Sequence, residues 1–203
     1  MDTFKEDDIF VDVGANIGLY ALWASKNKKV KTYAFEPESQ NYALLVQNIY
    51  INELGDDVKG YNLAISDKVG IGELALTEFM PGSGCHQLDS ILDPHGNPGK
   101  FVFNQSTFSV TLDYLLENKM IEQPTHIKID VDGLEHKVIY GGFKTLQKVK
   151  SLIVEVNRKL ENHQKMIKIL NALGFYYDDN QVNRSLRKQG PFEGVGEYVF
   201  RRS

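Results

Sequence analysis

The chain has 203 residues, 42% hydrophobic, 11% aromatic and 25% charged. Those proportions exclude disordered, collagen-like and disulfide-scaffold proteins and predict a single domain over residues 1–203. With 23 Lys and Arg against 27 Asp and Glu, the formal charge of -4 leaves no broad cationic field to draw in a nucleic-acid backbone or an anionic membrane. The one cysteine, Cys85, cannot form an internal disulfide, no apolar run reaches the ~20 residues that span a bilayer, and the opening stretch Met1 to Asp8 lacks signal-peptide character. The expectation is a cytoplasmic protein with neither nucleic acid nor membrane as partner. Homo-oligomerisation is left open.

Apolar runs rich in Val, Ile, Tyr and Phe alternate with segments of helical spacing, the pattern of parallel βαβ units. Ile9 to Val13, stopped by Gly14, reads as a buried first strand, and Leu19 to Lys26 as the helix after it. Thr32 to Phe35 form a second strand that must stop at Pro37, which has no N–H for a ladder. From Ser39, the spacing of Tyr42, Leu45, Val46 and Ile49 predicts a helix closed by Gly55. Tyr61 to Ile65 read as the third strand, and Gly72 to Phe79 and Lys100 to Leu112 as extended segments. Between these two lies Pro81 to Gly99, with three prolines and four glycines, a loop long enough to be functional and placed to act as a lid. Strands return at His126 to Val131 and Leu152 to Val156, each followed by a helix, the second from Glu161 to Leu173 with Gly174 at its end. Phe175 to Asp178 and Glu197 to Arg201 suit an antiparallel pair joined by a polar, turn-rich stretch.

Val11 to Gly18 compress a strand, a glycine turn and a helix start into eight residues. Gly14 there lets backbone approach a ligand, and the helix start offers unpaired N–H groups. A dinucleotide fingerprint needs a further glycine where Asn16 stands, and Asp12 repels phosphate while suiting the ammonium or sulfonium of an amino-acid-bearing cofactor. Glu36 ends the second strand 22 residues beyond Gly14, where an acid grips a ribose diol in nucleoside-binding α/β sheets.

Five blocks, in order, carry a family resemblance: Phe10-Val-Asp-Val-Gly-Ala-Asn-Ile-Gly18, Phe35-Glu-Pro-Glu38, Val110-Thr-Leu-Asp-Tyr-Leu115, Lys128-Ile-Asp-Val-Asp-Gly-Leu-Glu135 and Leu152-Ile-Val-Glu-Val156. The chain resembles class I S-adenosylmethionine-dependent methyltransferases of the FkbM family. The resemblance implies a Rossmann-like three-layer α/β sandwich, with a seven-stranded, mostly parallel sheet ending in an antiparallel hairpin. It also implies S-adenosylmethionine as cofactor and methyl transfer to oxygen, often a sugar or polyketide hydroxyl. Gly14, Asn16, Gly18 and Glu36 fall in the cofactor blocks, and Ala64, Ile65 and Asp67 resemble the segment that lies against adenine. Asp132 stands where the family usually has Glu.

Lys128 and Asp130 share one face of their strand while Ile127, Ile129 and Val131 take the other. A lysine in a central strand must be paired, either with Asp130 or with Glu155. That pair either orders the sheet only, or lies at the carboxyl ends of the strands where ligands of open α/β sheets sit. On the second reading Asp130 or Glu155 accepts the acceptor's proton and Lys128 orients the carboxylate. His86 and His95, in the long loop, are candidate substrate contacts. Arg184 to Lys188 reads as a solvated basic turn or as an anchor for an anionic substrate. Asp130, Asp132, Glu135 and Glu155 put four carboxylates near one sheet edge, but Lys128 opposes a cation there, so metal-independent transfer is expected. The reading is an O-methyltransferase acting on a sugar, glycan or other small molecule. Its rivals are a cofactor-binding module without turnover and a methyltransferase for another acceptor class, and incubation with labelled cofactor and an acceptor panel separates them.

Overall fold

The run Ile9–Val13 forms strand β1 at the middle of a sheet in the computed structural model, which describes residues 3–202. Residues 1, 2 and 203, the ends of the expected domain and the start of the stretch without leader character, lie outside the described residues. Along the chain follow α1 (Leu19–Lys28), β2 (Lys31–Phe35), α2 (Ser39–Ile51), β3 (Val58–Tyr61), β4 (Ala64–Ile65), β5 (Gly70–Leu76), β6 (Gln87–Leu88), β7 (Phe103–Val110) and α3 (Leu112–Glu117). Then come β8 (His126–Ile129), α4 (Glu135–Tyr140), α5 (Phe143–Leu146), β9 (Ser151–Asn157), α6 (Glu161–Ala172), β10 (Phe175–Tyr176), α7 (Asp179–Ser185) and β11 (Val195–Arg202).

The main sheet has seven strands in the order β10-β11-β9-β8-β1-β2-β3. All neighbours pair in parallel except those of β11, which is antiparallel to both β9 and β10. Helices flank it, giving the expected Rossmann-like sandwich with an antiparallel C-terminal hairpin. Alternation along β1 and β8 divides the interior. Val11, Val13, Ile127 and Ile129 join the larger apolar cluster with Leu112, Leu115, Val138, Ile139 and Leu146 of α3 to α5. A smaller cluster of Ala21, Ala34, Leu45, Ile49 and Val58 seats α1 and α2 on the other strands. Asp12 and Lys128, in register across β1 and β8, are the charged pair inside this otherwise apolar centre.

The expected third strand, Tyr61 to Ile65, is divided. The main sheet takes Val58–Tyr61, and Ala64–Ile65 leaves it to pair with β7. The physical cause is Asn62, whose amide nitrogen donates to the Glu36 and Pro37 carbonyls at 2.9 and 3.1 Å where β2 has run out of ladder. The two extended segments flanking the long loop pair with each other as β5 and β7, and with β4 and β6 they make a second, four-stranded sheet. Gln105 of β7 fastens that sheet to the end of β2, donating to the Pro37 carbonyl at 2.7 Å and accepting from the Ser39 amide at 3.0 Å. The turn-rich stretch before β11 holds α7, whose start is capped by the Asp178 carboxylate accepting from Asn180 N–H at 2.8 Å. Glu53, with φ +57°, rather than Gly55 supplies the left-handed residue after α2. No helix among the described residues is long and apolar enough to cross a membrane.

Candidate active site

Strand order reverses between β1 and β8, and the crevice beyond their carboxyl ends is where open α/β sheets take ligands. Gly14 turns the chain there with φ +74°, and a Cβ on it would lie 1.9 Å from the Asp130 carbonyl oxygen. Glycine is required because the two loops at the switch point cross backbone against backbone. Both Gly14 and Ala15 N–H donate to the Phe35 carbonyl at 3.0 Å, holding the turn against the end of β2. Asn16 then donates its backbone N–H to Glu36 Oε2 at 2.8 Å and its amide to the Ser83 carbonyl at 3.0 Å. Gly18, at φ +93°, is a packing glycine: a Cβ would meet Leu45 Cδ1 at 2.5 Å where α1 crosses α2.

Glu36 is 5% exposed, and its other oxygen accepts from Glu38 N–H at 2.9 Å. Burial pushes this carboxyl up to about 7 although both amide donors pull it down. It stands in the wall of a cleft lined also by Gly14, Asn16, Asn41, His86 and Asp130. A second, more apolar recess adjoins it, lined by Phe35, Ala64, Ile65, Leu88 and Leu134, and shares Gly14, Pro37, Leu74, His86 and Val131 with the first. His86 therefore belongs to both walls. Its Nδ1 accepts from Thr77 N–H at 3.4 Å, while its Nε2 is buried without a partner among the described residues. Burial lowers its pKa, so a neutral ring with a hydrogen on Nε2 is the form the wall presents.

Beyond the cleft the charges converge. Lys128 Nζ donates to the Gly14 carbonyl at 3.0 Å and lies 3.3 Å from Asp130 Oδ2 and 3.5 Å from Asp12 Oδ1, over the ring of Tyr20. Burial works against the ammonium, but Asp12 and Asp130 outweigh it and hold Lys128 above its ordinary pKa. Of the two partners the sequence allowed, Asp130 is the one observed. Glu155 pairs instead with Arg187, Nη2 to Oε1 2.8 Å. Asp130, Asp132 and Glu155 bring one oxygen each within 4.8 Å of one another. Burial first, then the charge of Asp130, pushes Asp132 and Glu155 up to about 7. Glu135, the fourth carboxylate of the sequence cluster, turns inward, where Oε1 accepts from Val131 and Gly133 N–H and Oε2 faces His163 at 3.0 Å.

The expected residues thus fall into two groups. Gly14, Asn16, Glu36, His86 and Asp130 line the cleft and Ala64 and Ile65 line the recess, with Lys128 and Glu155 directly behind or beside Asp130. Asp12 is fully buried, accepting from Ala21 N–H at 3.0 Å, and reaches the site only through Lys128. Asp67 is exposed and accepts from Ser66 Oγ at 3.2 Å, outside the recess that Ser66 itself lines. His95 lies at the ring of Phe192, centroids 4.9 Å apart. The sequence reading missed Asn41, whose amide holds both Gly82 N–H at 2.6 Å and the Ser83 carbonyl at 2.9 Å. It also missed Asp132 as a tether: its carboxylate accepts from Cys85 N–H at 2.7 Å and its carbonyl from the Gln87 amide at 2.6 Å. A polar residue in the first turn of α2, facing a loop rich in free backbone groups, was the available signal for Asn41.

Residues 12–177 match the model of the methyltransferase FkbM domain. The hexuronic acid methyltransferase AglP of Haloferax volcanii is 25% identical over 191 residues, covering 91% of this chain and 70% of that protein. A tRNA (guanine(37)-N(1))-methyltransferase of Dictyostelium discoideum is 36% identical over 69 residues, covering 34% of this chain and 15% of that one. Among solved structures, a methyltransferase FkbM from Methylobacillus flagellatus superposes with a TM-score of 0.60 at 14% identity, over 98% of this chain and 44% of that one. That superposition shows the shared fold.

Proposed function

The chain belongs to the FkbM methyltransferase family, and from that premise we propose that it moves the methyl group of S-adenosylmethionine to a hydroxyl of a sugar or glycan. The observation that carries the reading is the divided cleft at the switch point, polar on one side and apolar on the other, with Glu36 in the polar wall. The orphaned Nε2 of His86 in the shared wall supports it, since a buried donor without a partner costs about 1–3 kcal/mol until a ligand satisfies it. In this reading Glu36 accepts from the ribose hydroxyls, its geometry fixed beforehand by Asn16 and Glu38 N–H. Phe35, Ala64, Ile65 and Leu134 enclose the adenine, and Asn16 and Gly14 border the path to Asp130.

The cofactor supplies an electrophilic methyl on a sulfonium. What remains for the protein is to align an acceptor oxygen and take its proton. Asp130, its side chain 36% exposed and lining the cleft, is the base, and Lys128 fixes its carboxylate from below while tied to the Gly14 carbonyl. Glu155 stands beside it as the second carboxylate. A sugar acceptor is supported by the relative that acts on a hexuronic acid, and the net charge of -4 favours a small or glycan acceptor over a nucleic acid. Each carboxylate of the cluster is already engaged, Asp130 by Lys128, Asp132 by Cys85 N–H and Glu155 by Arg187, which supports transfer without a metal ion.

Titration calorimetry with S-adenosylmethionine and S-adenosylhomocysteine tests the cofactor half. Both should bind comparably, and Glu36→Ala should weaken both by about tenfold or more, the size of a lost charge-assisted hydrogen bond. Unchanged affinity in a folded variant removes Glu36 from the site.

A further inference from the structure

Arg187 has no role in the cofactor site, yet its backbone is held firmly. Its N–H donates to the Val195 carbonyl and its own carbonyl accepts from Gly194 N–H, both at 2.9 Å. The guanidinium meets Glu155 through one nitrogen and lies over Phe192, its carbon 5.1 Å from the ring centroid, while the side chain stays 48% exposed. Among the described residues it has no second acidic partner. The pair offsets the charge of the mostly buried Glu155 through one nitrogen only, which leaves the other donors of the half-exposed guanidinium free toward solvent. Its fork of donors matches a carboxylate in two-point contact.

Phe192 continues the row to His95, so a guanidinium, a phenyl ring and an imidazole from two separate loops lie side by side. Rings of this kind pack against the C–H face of a pyranose and leave its polar edge free. Glu155, which holds Arg187, has an oxygen within 4.8 Å of oxygens of Asp130 and Asp132 in the cleft lining, so Arg187 stands one contact away from the acceptor end. We propose that Arg187, Phe192 and His95 form an acceptor subsite for a sugar bearing a carboxylate, with Arg187 binding the carboxylate and the two rings its face. This rests on the glycan reading above and narrows it to acidic sugars. Lys128 and Arg187 offset part of the charge of the neighbouring carboxylates, and burial pushes Asp132 and Glu155 up to about 7, which lowers the negative charge that a bound anion meets near neutrality.

The probes are methyl β-D-glucuronide and methyl β-D-glucoside, assayed for methyl transfer with wild type, Arg187→Gln and Arg187→Lys. Wild type should prefer the glucuronide by about tenfold or more in kcat/KM, the size of a charge-assisted contact. Arg187→Gln should bring the ratio close to one, mainly through KM for the glucuronide, with Arg187→Lys between. A wild type without that preference, or a ratio that Arg187→Gln leaves unchanged, overturns the proposal. If neither sugar is methylated, the glycan reading fails, and the subsite is decided separately by saturation-transfer NMR on protein loaded with S-adenosylhomocysteine. Contact with the glucuronide in wild type that is lost in Arg187→Gln supports the subsite; contact with both sugars alike, or with neither, overturns it.

Discussion

At the scale of single residues, the proposed function gives Glu36 the binding of the cofactor and Asp130 the chemistry, and their environments separate the two in experiment. Burial holds the Glu36 carboxyl at about 7, and in the proposed site the ribose hydroxyls would donate to its ionised form. Binding therefore favours loss of its proton, so S-adenosylhomocysteine affinity should rise with pH toward about 7 and level off above it. Calorimetry in buffers of different ionisation enthalpy should register proton release near pH 6.5, and the release should disappear in Glu36→Ala. For Asp130→Asn the amide is nearly isosteric but cannot take a proton as a base. Turnover should fall by about 10²-fold or more, with cofactor affinity changed less. A variant that lost both together would make Asp130 a cofactor ligand or a structural tie to Lys128. Glu155→Gln under the same comparison distinguishes the second carboxylate.

At the scale of elements, the long loop is held at one end by side chains of the site and lies at the other against Gly133 and Phe192 through Pro94 and His95. Asn16, Asn41 and Asp132 hold Ser83 to Gln87, whereas residues 91–99 are organised mainly by Asp93, which accepts from His95 and Asn97 N–H. The amides of Gly82 and Cys85 should exchange slowly in the free protein, and Asn41→Ala should release Gly82 but not Cys85, at a cost of about 1–2 kcal/mol. Residues 91–99 should gain protection only when an acceptor occupies the cleft. Slow exchange there in the free protein, unchanged by ligands, would make the segment packed structure rather than a lid. The elements also show what a sequence can carry. The β1 and β8 runs, the Pro37 stop and the helical spacing of α2 and α6 are local signals, and they were legible. The division of Tyr61 to Ile65 goes with an Asn62 side chain that reaches two carbonyls just past the end of β2. The pairing of β5 with β7 spans the whole loop, and no local pattern records it. The site behaved in the same way. Gly14 and Glu36 were legible through spacing, whereas the partner of Glu155 was not, because Arg187 reaches it only after β11 has turned antiparallel to β9.

At the scale of the whole molecule, the sheet order places a glycine turn, a buried acid and a lysine-bound carboxylate around one crevice, and the second sheet closes its far side with Leu74 and Leu88. Lys128 and Arg187 already neutralise carboxylates of the acidic cluster, so activity should survive exhaustive chelation and should not rise on return of magnesium, manganese or calcium. Activity that vanished on chelation and returned with one of these ions would make the cluster the catalytic centre. The most direct test of the account is transfer itself: incubation with methyl-labelled S-adenosylmethionine and a panel of neutral and acidic sugars, the products read by mass spectrometry. The account predicts a sugar heavier by one labelled methyl group with wild type and a severe loss with Asp130→Asn. A protein that binds the cofactor but methylates no sugar, or one that methylates sugars equally well as Asp130→Asn, would contradict it.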